Sequence, residues 1–298
     1  MRNSNQLILA IGVWIWIVFL PVLHTYAKTK KTVKVVFLAG QSNMAGAGNY
    51  DELDEADKAR VLKAAERVSL SFNGKAIVPL APYDNKPTEK YNFTQRFGPE
   101  LFIGAVLAEK YPDDEFLLIK VSHGGTALYG AWNPEWSAEQ SKEVEKGELK
   151  QNLKLYEKHL AAIDENLKQL QAEGKSYEIF GMCWMQGEND AAKEVSARSY
   201  AQNLTKLIAS YRQQYEVPKM PFVLAQINST YGRFDEGPEM VRGMMLAVAR
   251  EDKYVYCIPT TTDRSWSDFP KHSDQVHYNA AGQARLGTAM GEALISLQ

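Results

Sequence analysis

Residues 33–46 read VKVVFLAGQSNMAG. Val33, Val35, Val36, Phe37, Leu38 and Ala39 make a nearly unbroken apolar run, rich in β-branched residues, and Gly40 ends it. Alternating apolar and polar residues would mark a strand with one wet face. A continuous apolar run marks a strand covered on both faces, as in a parallel sheet. Ser42 follows almost at once, which puts a hydroxyl just beyond the carboxyl end of a strand, where doubly wound sheets bind their ligands. Gly40 permits a sharp turn there. If a helix begins just after it, the unpaired N–H groups and the helix dipole favour negative charge beside Ser42. The hydroxyl then serves either as a nucleophile or as a helix cap.

Working outward, residues 116–121 (FLLIKV), 179–185 (IFGMCWM), 222–227 (FVLAQI) and 254–258 (YVYCI) repeat the apolar pattern. Helical spacing of apolar residues fills the intervals 98–110, 150–173, 196–215 and 238–250, and again 280–297. Alternation of this kind implies right-handed crossovers. The expected fold class is α/β: a three-layer α/β/α sandwich around a doubly wound, mainly parallel five-stranded sheet. Residues 68–79 read as a short hairpin turning at Asn73-Gly74. They fall in an insertion, about 50–95, expected to lie over one end of the sheet. A single domain over residues 28–298 is the simplest organisation.

The beginning of the chain reads differently. Arg2 precedes an almost wholly apolar run at 7–23, and Thr25-Tyr26-Ala27 supplies a small-residue exit before Lys28. That is the pattern of a secretory signal peptide cleaved after Ala27, an uncleaved membrane anchor being the alternative. Either way the domain is expected to be secreted or periplasmic. A formal net charge of -2 supplies no bulk attraction for nucleic acid or anionic membranes. Cys183 and Cys257 each lie inside an apolar run, where a thiol acts as a small hydrophobe rather than half of a disulfide. No metal-binding spacing is present, and nothing in the sequence specifies an oligomeric state.

Three more segments carry chemistry. Asp274-Gln275-Val276-His277 offers a base and a carboxylate three residues apart. A serine hydroxyl needs a base to take its proton, and the base needs a carboxylate to fix its tautomer. His272 is the nearest decoy, and a metal site from His272, Asp274 and His277 fits no common zinc spacing. His159, within the long helical pattern, is expected at the surface, and Asn279 is placed to cap the last helix. SHGGTAL (122–128) brings two glycines whose N–H groups can approach a ligand closely, as in an oxyanion hole, or simply form a turn. WMQGEND (184–190) carries the neutral amides of Gln186 and Asn189, while Glu188 and Asp190 would suit glycoside hydrolysis only if both faced one bond. The glycines around Ser42 lack the order and the Gly-Lys-Ser/Thr of a phosphate loop.

Taken together, GQSNMAG, GGTAL, WMQGEND and DQVHYNAAG resemble the SGNH hydrolase superfamily, and within it the branch of sialate O-acetylesterases and family 6 acetylxylan esterases. The resemblance spans residues 35–282 and implies a flavodoxin-like sandwich. It places the nucleophile at Ser42, the base at His277 and its partner at Asp274. It assigns the oxyanion hole to the N–H of Ser42, to Gly125 or Gly124, and to a side-chain amide, Gln186 in the spelling of this branch or Asn189 in that of the wider superfamily; Gln186 fits the Trp-x-Gln-Gly-Glu frame better. The implied activity is hydrolysis of acetyl esters on an oligo- or polysaccharide through an acetyl-enzyme, with no metal or organic cofactor. Tyr129, Trp132 and Trp136 either stack on sugar rings or pack their loop, and Arg96 is placed to meet a carboxylate. Acetylated xylan is the favoured substrate, ahead of O-acetylated sialic acid. Another lipase or thioesterase activity, or a non-catalytic carbohydrate-binding protein, would share the fold.

Overall fold

The computed structural model describes residues 32–298. The expected signal segment lies outside them. β1 (Thr32–Gly40) is buried along almost its whole length, as its continuous apolar pattern requires. It sits at the centre of a seven-stranded sheet. On one side lie β4 (Glu115–Ser122), β2 (Val68–Phe72) and the edge strand β3 (Val78–Pro79). On the other lie β5 (Ser176–Met185), β6 (Phe222–Ala225) and β7 (Val255–Ile258). All neighbours pair in parallel except β3, which runs antiparallel to β2.

Helices cover both faces. α1 (Glu55–Ala64), α2 (Glu100–Lys110) and α6 (Ala280–Ser296) form one layer. α3 (Leu155–Ala172), α4 (Tyr200–Gln214) and α5 (Gly237–Glu251) form the other. Each presents an apolar stripe to the sheet; in α3 it runs through Leu155, Ile163, Leu167 and Leu170. Cys183 and Cys257 are buried and free. Among the described residues, no helix is long and apolar enough to cross a membrane.

Three expectations change. The sheet has seven strands rather than five. Residues 50–72 are not an insertion: they supply α1 and β2, and β2 pairs with β4 from Val68↔Phe116 to Phe72↔Lys120. What stands apart is residues 80–97, whose short strands Tyr83–Asp84 and Gln95–Phe97 join Gly48–Asn49 in a small antiparallel sheet. His159, expected outside, is fully buried on α3. Its Nδ1 lies 2.7 Å from the Tyr211 hydroxyl and its Nε2 3.3 Å from the Ile119 carbonyl oxygen. Burial pulls its pKa down to about 4, so it is neutral and structural.

The register decides where the loops emerge. Gly40 is the partner of Ser122 on one side and of Met185 on the other, so three neighbouring strands end at one level. A β-carbon on Gly40 would fall 2.0 Å from the Met185 carbonyl oxygen, so only glycine lets β1 and β5 approach this closely.

Beneath the first loop lies an ion pair. Lys120 and Glu100 are fully buried, with Nζ 2.5 Å from Glu100 Oε2. Lys120 also donates to the Ala45 carbonyl oxygen at 3.2 Å and stands 4.5 Å over the Phe72 ring. Glu100 Oε1 accepts from the Gly98 N–H at 2.9 Å, and the Tyr83 hydroxyl donates to the same Ala45 oxygen at 2.6 Å. Removing one charge strands the other in the core, which costs about 3–5 kcal/mol. Lys120→Met is therefore expected to lose stability in that range by urea denaturation; a loss below about 1 kcal/mol would contradict the pairing.

Candidate active site

Ser42–Ala45 forms a single helical turn just past β1. Gln41 N–H donates to the Met185 carbonyl at 3.0 Å and so fixes the turn against β5. The N–H of Ser42, at the head of the turn, has no intrahelical acceptor. Its side chain faces the loop after β4: a β-carbon on Gly124 would stand 3.5 Å from Ser42 Cβ.

Asp274 and His277 meet on a tight turn with Gln275 in the left-handed region at φ 58°. Asp274 Oδ1 accepts the Val276 and His277 N–H groups, each at 3.0 Å, and Oδ2 lies 2.7 Å from His277 Nδ1. With Nδ1–H directed at the carboxylate, Nε2 is the free acceptor of the ring. Neither Ser42 Oγ nor His277 Nε2 has a hydrogen-bond partner among the described residues, so both are open to a third group. Burial alone would raise the Asp274 pKa, but the hydrogen bonds from the His277 and Val276 N–H groups, the imidazole and Lys90 outweigh it and hold the carboxyl well below the usual range. Burial lowers the His277 pKa, and the charges of Lys90 and Arg96 lower it further against the pull of Asp274. Asn279 caps α6 as expected, accepting the Gly282 N–H at 3.0 Å.

Asn43 joins these two parts. It is 1% exposed, and its Nδ2 donates to the Val276 carbonyl at 3.1 Å while its Oδ1 accepts the Tyr278 N–H at 3.1 Å. The residues on either side of His277 are thereby bonded to the residue next to Ser42. The same Nδ2 donates to Glu188 Oε1 at 2.9 Å, which draws in the loop after β5.

The Gly124-Gly125 segment completes the rim. Their N–H groups donate to no acceptor among the described residues. Gly125, at φ 66°, turns its carbonyl to Lys150 Nζ at 2.9 Å. The following loop is pinned by two buried carboxylates. Glu145 accepts the Ala127 and Ala131 N–H groups at 2.7 and 3.1 Å, and Asp190 accepts those of Leu128 and Tyr129 at 2.7 and 3.0 Å. Burial raises their pKa values to about 7 and about 6 despite these donors.

The structure gives Gln186 and Trp132 internal partners, and it places the remaining candidates as follows. Gln186 is fully buried, and its amide donates inward to Asp190 at 2.5 Å and to the Thr126 carbonyl at 3.0 Å, leaving no hydrogen for a ligand. Asn189 is partly exposed with an unbonded side-chain amide, and its Oδ1 would lie 3.8 Å from a β-carbon on Gly125. Trp132 is fully buried, edge-on to Trp184 at 5.2 Å, with Nε1–H donating to Thr126 Oγ1 at 3.1 Å. It packs its loop and cannot stack on a sugar. Tyr129 stays at the surface, and its hydroxyl lies 3.4 Å from Glu143 Oε2. Arg96 donates from Nε to the Gly46 carbonyl at 2.6 Å and lays its guanidinium 4.5 Å over the Tyr91 ring. Glu188 and Asp190 face separate internal partners, which removes a carboxylate pair for glycoside hydrolysis. His272 turns Nε2 to the Ala47 carbonyl at 2.8 Å.

Asn43 stands inside the GQSNMAG motif, but its role as a clamp has no local signal, nor has the bond from Asn43 to Glu188. Lys90 and Lys150 had no local signal. Lys90 Nζ lies 3.0 Å from Asp274 Oδ2 and 3.3 Å from His277 Nδ1.

With this geometry in hand, the likenesses to known proteins are specific. The family described as carbohydrate esterase, sialic acid-specific acetylesterase, matches residues 32–296. A probable carbohydrate esterase of Arabidopsis thaliana is 27% identical over 179 residues, 60% of this chain and 55% of that protein's length. The chain thus spans about half the length of that curated relative. An Arabidopsis thaliana crystal structure superposes with a TM-score of 0.60 at 22% identity, covering 89% of this chain and 98% of the other. A carbohydrate acetylesterase from Xanthomonas citri gives 0.57 at 17% identity, covering 89% and 56%. The two structural likenesses speak to the fold.

Asn43→Ala would leave the Tyr278 N–H buried without a partner and take from the buried Glu188 carboxylate its side-chain donor. The expected loss is about 2–4 kcal/mol, with faster hydrogen exchange of the Tyr278 amide. Unchanged protection at Tyr278 would contradict the clamp.

Proposed function

The chain belongs to this carbohydrate esterase family, and from that premise we propose that it is a serine esterase removing acetyl groups from a saccharide. Ser42 is the nucleophile, His277 the base and Asp274 its partner. The observation that carries the reading is the Asp274–His277 pair, held on both flanks by the residue next to Ser42.

In the first step Ser42 Oγ attacks the acetyl carbonyl carbon and His277 Nε2 takes its proton. Asp274 holds Nδ1–H and stabilises the imidazolium that forms. The oxyanion meets the N–H groups of Ser42 and of the Gly124-Gly125 segment, with the Asn189 amide in place of Gln186, whose hydrogens bond internally. Collapse breaks the bond to the sugar oxygen, which leaves with the proton from His277. Water, activated by the same imidazole, then releases acetate. Every step uses groups of the chain. We place the activity outside the cytoplasm, on the reading of residues 1–27.

For the substrate, xylan lost one support when Trp132 proved buried. Lys90, Arg96 and Lys150 stand around the rim, and this favours a sugar bearing a carboxylate, such as O-acetylated sialic acid, over neutral xylan. Acetate release from the two substrates is expected to favour the acidic sugar; preference for acetylated xylan would reverse that order.

Ser42→Ala is expected to lower kcat on 4-nitrophenyl acetate by at least about 10³-fold with the fold intact. Near-normal turnover would remove Ser42 from the mechanism. His277 must be neutral to act, so kcat/KM falls as pH drops through its pKa. Because that pKa is depressed, the fall is expected below the ordinary imidazole value of about 6.5.

A further inference from the structure

We infer that Lys90 is a positioning residue for the proposed reaction: its ammonium fixes the Asp274 carboxylate and keeps a positive charge against the His277 ring, so that the base stays unprotonated in mild acid. The inference rests on the assignment of His277 as the base.

The geometry comes first. Lys90 Nζ lies 3.0 Å from Asp274 Oδ2, the oxygen that also accepts His277 Nδ1 at 2.7 Å. It lies only 3.3 Å from Nδ1 itself. The carboxylate therefore has Oδ1 filled by two backbone N–H groups and Oδ2 shared between imidazole and ammonium. This leaves the carboxylate no free rotamer. It also divides the negative charge available to an imidazolium, because a cation already occupies the oxygen that would stabilise it. An exposed ion pair is usually worth little. Here the Lys90 side chain is 52% exposed, but Asp274 and His277 are sheltered at 29% and 15%, so the charge acts on partners with reduced solvent screening.

Lys90 is carried by residues 80–97, the part of the chain that stands apart from the sandwich. Tyr91, next to it, sets its ring edge-on to His277 at 6.4 Å and to His272 at 6.0 Å. The Arg96 guanidinium lies over the Tyr91 ring, 4.5 Å from its centroid. The groups that bear on the imidazole are therefore Asp274 and His272 from its own turn, and Lys90, Tyr91 and Arg96 from this segment. The charge of Lys271 also acts on Asp274, and Glu188 acts on the turn through its bond to Asn43 and through its charge on Tyr278. Lys90 is the one cation in this set within hydrogen-bonding distance of the Asp274–His277 pair.

Removing the charge takes away a repulsion on the imidazolium and returns Oδ2 wholly to His277. Both effects raise the His277 pKa. Lys90→Met, which keeps most of the aliphatic stem, is expected to move the titration of His277, followed by NMR, upward by about half a unit to one unit, with Lys90→Arg close to the parent. On 4-nitrophenyl acetate, a neutral ester with no carboxylate for Lys90 to bind, the acidic limb of kcat/KM should move upward by the same amount. Rates well below the limb should fall about 3- to 10-fold further than rates on the plateau. Superimposable titrations of parent and Lys90→Met, or an arginine variant that behaves like the methionine variant, would overturn the inference. Ser42→Ala assayed alongside separates the two failures. Undiminished hydrolysis by that variant would remove the nucleophile assignment, while the NMR titration still decides the role of Lys90.

Discussion

The side-chain amide of Asn43 bonds the start of the described chain to its end. Ser42 emerges just after the first strand and His277 just before the last helix, and only a tertiary contact can hold them in register. Asn43 supplies it through the Val276 carbonyl and the Tyr278 N–H, and reaches Glu188 as well. Such a buried amide, satisfied on both its oxygen and its nitrogen, fixes position more sharply than apolar packing, because shifting either partner leaves a polar group unpaired in the core. The sheet register is the other half of the constraint. With Gly40, Ser122 and Met185 level across three neighbouring strands, the loops that follow start side by side.

The architecture around that joint was largely legible in the residues. Each central strand is a continuous apolar run, and each intervening helix has a clear stripe. Residues 68–79 form the expected hairpin at Asn73-Gly74, with Ser69↔Pro79 and Leu70↔Val78 paired; its place in the main sheet has no local signal, because Ser69 and Ser71 break the apolar run. In the structure Ser71 is buried, and its hydroxyl donates to the Lys75 carbonyl and accepts from Asn166, so a polar residue sits inside a covered sheet at no loss of hydrogen bonding. His159 carried a signal that was not used: it falls four residues after Leu155 and four before Ile163, on the buried stripe of α3.

The site was legible in its motifs and not in its details. Ser42, Asp274 and His277 stand in recognisable frames. Whether Trp132 stacks on a sugar or on Trp184 depends on a contact between residues far apart in the chain, which no local pattern reveals. Which of the two amides stays free, that of Gln186 or that of Asn189, depends on what the fold consumes, and no local pattern shows that. Gln186 is spent on Asp190 and Thr126, in the network that holds the glycine loop. Lys90 is 187 residues from His277 in the chain, and an exposed lysine in a polar loop has no signature of its own. A pattern emerges in the charges. Glu100, Glu145, Glu188 and Asp190 are buried and hold backbone or side chains in place, whereas Lys90, Arg96 and Lys150 remain at the rim. The interior carboxylates build the site, and the cations set the field a ligand meets.

The central claim is that Ser42 is made nucleophilic by His277. Treatment with a serine-directed organophosphate, followed by peptide mass spectrometry, tests it most directly. The account predicts a single adduct on the peptide containing Ser42, formed at a rate that falls steeply in His277→Ala. An adduct on another serine, or labelling of Ser42 at the same rate with and without the imidazole, would contradict it.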